Sequence, residues 1–197
     1  MYIQVIEGKV SDPDHLSRQL ERWRKELKPG AKGYLGHTGG TTADGRSIAM
    51  VRFESEADAQ ANSQRPEQGA WWQEASKAFD GEVVFRDCRE VDTALGGGSN
   101  DAGFVQVIQG KAKDKAKVRR QLPAMEAELR KRRPDVQGIV MAWHGADTFT
   151  QAVYFASEAA AREGEKAAQG DELQDEFMSL IDGDSLAFWD LTAPDLD

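Results

Sequence analysis

The chain repeats itself, and that limits it to folds that about half its length can form and that can be built twice. Tyr2-Ile3-Gln4-Val5-Ile6-Glu7-Gly8-Lys9 recurs as Phe104-Val105-Gln106-Val107-Ile108-Gln109-Gly110-Lys111, an offset of 102 residues. The same offset pairs Asp12 with Asp114, Arg18-Gln19-Leu20 with Arg120-Gln121-Leu122, and Glu26-Leu27 with Glu128-Leu129. Over positions 2–28, eleven of 27 residues are identical, where chance pairing gives about one or two. Further on, Phe53-Glu54-Ser55-Glu56-Ala57 matches Phe155-Ala156-Ser157-Glu158-Ala159, and Asp80-Gly81 matches Asp182-Gly183. Between these blocks the register reads as slipping by three, with Gly33 best matched to Gly138; a slip of that kind belongs in a loop. A period near half of 197 residues marks a duplicated domain rather than a solenoid.

Three consecutive glycines, Gly96-Gly97-Gly98, followed by Ser99 and Asn100 read as a flexible linker. The expected organisation is a first repeat over 1–92, a linker over 93–102 and a second repeat over 103–197. Each half reads strand, helix, strand, strand, helix, strand. The first helix starts near Ser11-Asp12-Pro13, with an apolar stripe of Leu16, Leu20, Trp23 and Leu27. Its counterpart carries Val118, Leu122, Met125 and Leu129, with Pro123 predicting a kink or a late start. Strands are expected near 33–38 and 47–54, then a helix to about Phe79 that is interrupted at Arg65-Pro66 and ended by Asp80-Gly81. In the second half these elements fall near 137–143, 149–156 and 157–181, with a last strand over 185–191. The order βαββαβ is the ferredoxin-like unit, an antiparallel sheet with two helices on one face. Its other face needs a cover, and two fused copies supply one by packing their bare sheet faces together.

Composition narrows the partners. The formal net charge is −9, which disfavours bulk nucleic-acid binding. Residues 99–133 hold ten Lys/Arg against four Asp/Glu, and residues 134–197 hold two against fourteen; this reads as a solvated basic helix balanced by an acidic one. One cysteine, Cys88, offers no internal disulfide. No stretch reaches the ~18 apolar residues of a membrane span, and the start of the chain reads as a strand rather than a signal peptide. These points predict a cytoplasmic protein with no membrane or nucleic-acid partner. The three histidines, His15, His37 and His144, show no ligand spacing, so no metal site is expected.

The candidate chemistry falls in the first repeat, where the second helix carries Asn62, Arg65, Trp71 and Trp72. An amide such as Asn62 donates to a developing oxyanion, Arg65 or Arg86 stabilises an anionic phenolate or peroxide, and an indole stacks on a planar ring. In the second repeat the matching segment has Gly164, Ala167 and the acidic run 171–176, so the first repeat is the better equipped. The competing reading makes one tryptophan core and the other a sheet cover, with Asn62 on the surface and Arg65 at the break before Pro66. His15 is expected to face solvent. Gln4 and Gln106 either hydrogen-bond across the pseudo-twofold or point into a cavity.

The element order, the strand starts Tyr2–Lys9 and Phe104–Lys111, the Phe53–Ala57 junction, and Arg65-Pro66-Glu67-Gln68 followed by Trp71-Trp72 resemble the dimeric α+β barrel superfamily. Within it they resemble the antibiotic biosynthesis monooxygenase family, as two tandem copies. Single-copy relatives form homodimers, so the resemblance implies an intrachain pseudo-dimer, with further pairing of chains left open. It implies a cofactor-independent monooxygenase acting on a small electron-rich aromatic such as a quinol or polyphenol. Asn62, Trp72 and Arg86 would then be catalytic, with Tyr34, His37, Arg65 and Trp71 binding substrate. Haem-degrading relatives use a histidine on the second helix, which neither repeat has. The alternative is a barrel that binds a small ligand without turnover, or one that is purely structural.

Overall fold

The computed structural model describes residues 1–167 and 172–197, the side chains at 172–174 excepted. Of the acidic run expected over 171–176, Asp171 and those three side chains lie outside the described residues. The chain forms two compact units, Met1–Arg89 together with Asp197, and Glu90–Leu196.

In the first unit the order is β1 (Tyr2–Val10), α1 (Pro13–Arg22), β2 (Tyr34–Thr41), β3 (Arg46–Phe53), α2 (Glu56–Ser63), α3 (Pro66–Ala75) and β4 (Phe79–Cys88). Its strands lie in the order β2-β3-β1-β4, all antiparallel. At the outer edge of β2, the main chain of Asp197 exchanges two hydrogen bonds with His37, at 2.9 and 3.1 Å. The second unit contains β5 (Glu90–Ala94), β6 (Phe104–Ala112), α4 (Lys115–Arg132), β7 (Val136–His144), β8 (Thr148–Phe155), α5 (Glu158–Ala167), α6 (Glu172–Ser179) and β9 (Ile181–Leu191). Its sheet runs β5-β7-β8-β6-β9, which leaves β8 in the centre. The chain is thus α+β, with two tandem ferredoxin-like units in which the second helix is split.

The duplication extends to the helix caps. The Asp12 carboxylate accepts from the His15 amide and the Asp114 carboxylate from the Lys117 amide, both at 2.9 Å. Ser55 and Ser157 cap the second helices in the same way, each accepting an amide at 3.2 Å. Such caps satisfy amides that have no partner inside the helix.

Several expectations are corrected. Residues 90–92, expected in the first repeat, and 93–94, expected in the linker, form one strand paired with β7. The glycines after it form a packed turn: Gly96 and Gly97 sit at φ 89° and 90°. The Gly97 carbonyl oxygen would lie 1.7 Å from a Cβ on residue 138, so Gly138 is required to have none. Helix α4 runs unbroken from Lys115 through the exposed Pro123, so the late start is absent. Asp80-Gly81 does not end a helix but lies in β4, where Lys9 faces Asp80 across a register shift and Gly81 adopts φ 78°. The register slip of three is also absent. Gly36 faces Arg52 and Gly138 faces Tyr154, with a bulge just before each glycine. The offset of 102 therefore holds through β2 and β7, and His37 corresponds to Ile139. Only β9 departs, gaining one residue: Ile6 faces Phe85, while Ile108 faces Phe188.

Candidate ligand site

In the first unit, aromatic side chains cluster between helices and sheet. Trp23, Leu27, Trp71 and Ala75 form a buried cluster against which Tyr34 and Trp72 pack. Ring centroids are 5.0 Å apart for Trp23 and Tyr34, 6.4 Å for Trp23 and Trp71, and 6.0 Å for Trp71 and Trp72. Both buried indole N–H groups are committed within the unit: Trp23 donates to Gln68 Oε1 and Trp71 to the Gln19 carbonyl, each at 2.8 Å. Trp23 opens a π-helical turn that continues α1 to Leu27, a distortion the second unit lacks.

The residues singled out from sequence fall into three groups here. Tyr34 and His37 meet, the phenol oxygen 2.9 Å from Nδ1, and the same hydroxyl donates to Asp197 Oδ2 at 3.2 Å. Burial, reinforced by the Asp197 charge, pushes the Tyr34 phenol above its usual range. Asn62 is buried, not exposed, and its Oδ1 accepts from Arg65 Nη1 at 2.9 Å. Arg65 also reaches the Leu27 carbonyl at 3.1 Å and Glu67 at 2.9 Å, so it ties the α2–α3 break to the end of the first helix. Trp71 and Trp72 form the third group, with Trp72 edge-on to Phe85 at 5.2 Å. Arg86 is not brought to them. Successive strand residues point to opposite faces, and since Phe85 meets Trp72, Arg86 lies on the other face, paired with Glu7. His15 does not simply face solvent, because its Nε2 lies 2.8 Å from the Glu74 carbonyl. Gln4 donates to Asp87 at 3.2 Å and Gln106 to Asp190 at 3.0 Å, each within its own unit, and Gln106 also lines the cavity of the second unit.

The second unit places smaller or more flexible residues at equivalent positions. Met125 replaces Trp23, Val136 replaces Tyr34 and Ile139 replaces His37, and all three line a cavity of about 470 Å³ between the helices and the sheet. That volume lies within the ~300–1,000 Å³ of small-ligand sites. Leu122 and Leu129 of α4 wall one side, Phe177 of α6 another, and Ile108, Phe149 and Phe188 belong to the floor.

Five charged side chains lie along the lining, and each has an ion partner. Asp92 is held by Arg119 at 2.8 Å and also accepts the Trp143 indole N–H at 2.7 Å. Glu126 pairs with Arg130 at 2.6 Å, Glu165 with Arg162 at 3.2 Å, Arg132 with Glu128 at 3.3 Å and Arg133 with Asp135 at 2.7 Å. The Arg130 guanidinium, helped by the Leu95 amide, holds the Glu126 carboxyl below its ordinary range. Among the described residues, the basic helix pairs with its own glutamates and with β5.

Sequence reasoning missed Gln151. It sits in the central strand β8, opposite Ile108 on one side and Met141 on the other, on the face shared with Phe149 and Val153. It is 8% exposed and lines the cavity. Among the described residues, its amide makes no hydrogen bond. The available signal was strand parity, since Gln151 interrupts the apolar positions 149, 153 and 155, where the first repeat has Ala49.

The fold is shared with several solved structures of low sequence identity. A candidate monooxygenase from Lactobacillus acidophilus superposes with a TM-score of 0.72 at 10% identity, covering 100% of this chain and 98% of the other. A second candidate monooxygenase, from Fusobacterium nucleatum, gives 0.70 at 10% identity over 100% and 93%. An anthrone oxidase-like protein gives 0.62 at 11% identity over 99% and 93%. No family model and no curated protein sequence matches the chain. Among the described residues, no helix is long and apolar enough to cross a membrane, and no group of three His, Cys, Asp or Glu is placed to hold a metal ion. The described lining of the cavity contains no histidine, cysteine or tyrosine.

Proposed function

We propose that the second unit binds a small, largely apolar ring compound in the cavity beneath α4. The observation that carries this is the cavity itself, about 470 Å³ of mostly hydrocarbon-lined space in a domain whose first copy has an aromatic cluster there. Burying apolar surface of a ligand in such a space is favourable by about 25 cal/mol per Å² before the costs of association. Titration calorimetry with naphthols, anthrones and catechols tests it; heat of binding that disappears in Met125→Trp supports the site, and no binding by any of them removes it.

The structural neighbours favour a second reading of the same cavity, cofactor-independent oxygenation of an electron-rich aromatic. In such a reaction a ring CH₂ becomes a carbonyl: one atom of O₂ joins carbon, and the other leaves as water with the two hydrogens. Oxygen uptake above the autoxidation rate supports this reading if Met125→Trp abolishes it. Uptake lost instead in Asn62→Ala or Trp72→Phe, with Met125→Trp still active, places turnover in the first unit. Binding without uptake leaves the ligand-binding reading alone.

A further inference from the structure

We propose that Gln151 selects the ligand of the second unit: an uncharged ring compound that presents one hydrogen-bonding group, a carbonyl or a hydroxyl, to the middle of the cavity floor. The inference rests on the cavity being a ligand site, as argued above.

Two observations converge. Each of the five charged side chains on the lining is already ion-paired, at 2.6 to 3.3 Å, within the second unit. A ligand charge would have to break one of these pairs or lie unpaired in apolar surroundings, and an unpaired buried charge is strongly unfavourable. Gln106 is likewise committed, its amide nitrogen donating to Asp190 at 3.0 Å and to Glu165 at 3.4 Å.

Gln151 is the contrast. The residue is 8% exposed, lines the cavity from the central strand, and its side chain has no partner among the described residues. Its strand neighbours on that face, Ile108, Met141, Phe149 and Val153, are all apolar. A neutral amide offers one acceptor and two N–H donors, so it satisfies a ligand carbonyl or hydroxyl but not the full demand of a carboxylate. A hydrocarbon of the same shape would leave the amide unsatisfied. Discrimination of this kind, by a buried polar group that only the right ligand pairs, is the strong form of specificity.

The test uses three two-ring probes of similar shape, naphthalene, 2-naphthol and 2-naphthoate, with the full chain and its Gln151→Leu and Met125→Trp variants, read by calorimetry and thermal shift. The wild type is expected to bind 2-naphthol roughly tenfold or more tightly than either other probe, an amount one satisfied hydrogen bond supplies. Gln151→Leu, which keeps the side-chain bulk, is expected to bind naphthalene at least as well as 2-naphthol. Binding of 2-naphthoate as tight as 2-naphthol in the wild type overturns the proposal, as does an unchanged preference in Gln151→Leu. If no probe binds the wild type, or Met125→Trp binds all three normally, the cavity reading itself fails, and this inference with it. Binding of naphthalene and 2-naphthol with equal affinity removes the role of Gln151 alone.

Discussion

Gln151 stands in β8 where Ala49 stands in β3, β8 beside β6 and β3 beside β1, and each on the face turned toward the helices. The first unit has a methyl group there, and the second has an amide in apolar surroundings. An amide that has no partner among the described residues, set in an apolar sheet face, lowers stability, so its presence in the centre of a sheet is where local fitness for folding has given way to something else.

Removing that amide should therefore stabilise the ligand-free protein. An unsatisfied buried polar group costs about 1–3 kcal/mol. Gln151→Leu is expected to raise the midpoint of thermal unfolding by a few degrees, which corresponds to about 1 kcal/mol for a domain of this size. Differential scanning calorimetry measures it directly, and a lowered midpoint would show that the amide is bonded in the folded protein.

Met125→Trp restores to α4 the residue that α1 carries at Trp23, and it should fill the cavity. The expected result is at least a tenfold loss of affinity for any ring compound the wild type binds, with the far-ultraviolet circular dichroism spectrum retained. Overpacking is expected to cost about 1–3 kcal/mol of stability. Affinity unchanged within twofold would place the ligand elsewhere.

Trp23→Ala tests the opposite arrangement. The indole is buried among Leu27, Trp71 and Ala75, and its N–H is bonded to Gln68. Truncation should destabilise by about 3–5 kcal/mol, while affinity at temperatures well below the transition stays within twofold of wild type. Urea denaturation reads the first quantity and calorimetry the second.

Cys88 predicts an alkaline dependence. Burial, with the Asp87 charge adding to it, pushes its thiol up to about 12. The folded state thus holds this proton more tightly than the unfolded one. The corresponding stability is fully present below the unfolded-state value near 8.5 and is lost as pH rises toward 12. Cys88→Ala is expected to flatten the fall in stability across that window, and the remaining slope includes Tyr2 and Tyr34, whose phenols are also pushed up by burial. In the native wild type at pH 8, a thiol reagent should react only as fast as the protein opens. Immediate labelling would contradict the buried position.

The fold was legible because its signals are local and occur twice. The strand starts at Tyr2 and Phe104 and the caps at Asp12 and Asp114 each announce themselves within a few residues. What was not legible depended on pairing across the sheet. Glu90–Ala94 becomes a strand only because Trp143 to Ile139 lie opposite it, and the glycines that follow look like a linker until Gly138 is seen beneath Gly97. The candidate site shows the same limit. Sequence directs attention to the repeat rich in Trp23, Tyr34, Trp71 and Trp72, but in the folded unit those rings pack on one another. A cavity forms where bulk is missing, and missing bulk at Met125, Val136 and Ile139 becomes visible only when the registers of β2 and β7 are aligned. Gln151 was within reach by strand parity, yet its directly opposite neighbours, Ile108 and Met141, emerge only from two strand pairings.

The covalent joining of the two units has a consequence for inheritance. When two identical subunits share one reading frame, every mutation is written into both, and a change that fills one pocket fills the other. Once the copies lie in tandem, each codon answers for a single position. One copy is then free to gather tryptophans for rigidity while its twin keeps an empty chamber. Such a chain is expected to take up ligand at one molecule per polypeptide, half the capacity of an equivalent pair of identical subunits.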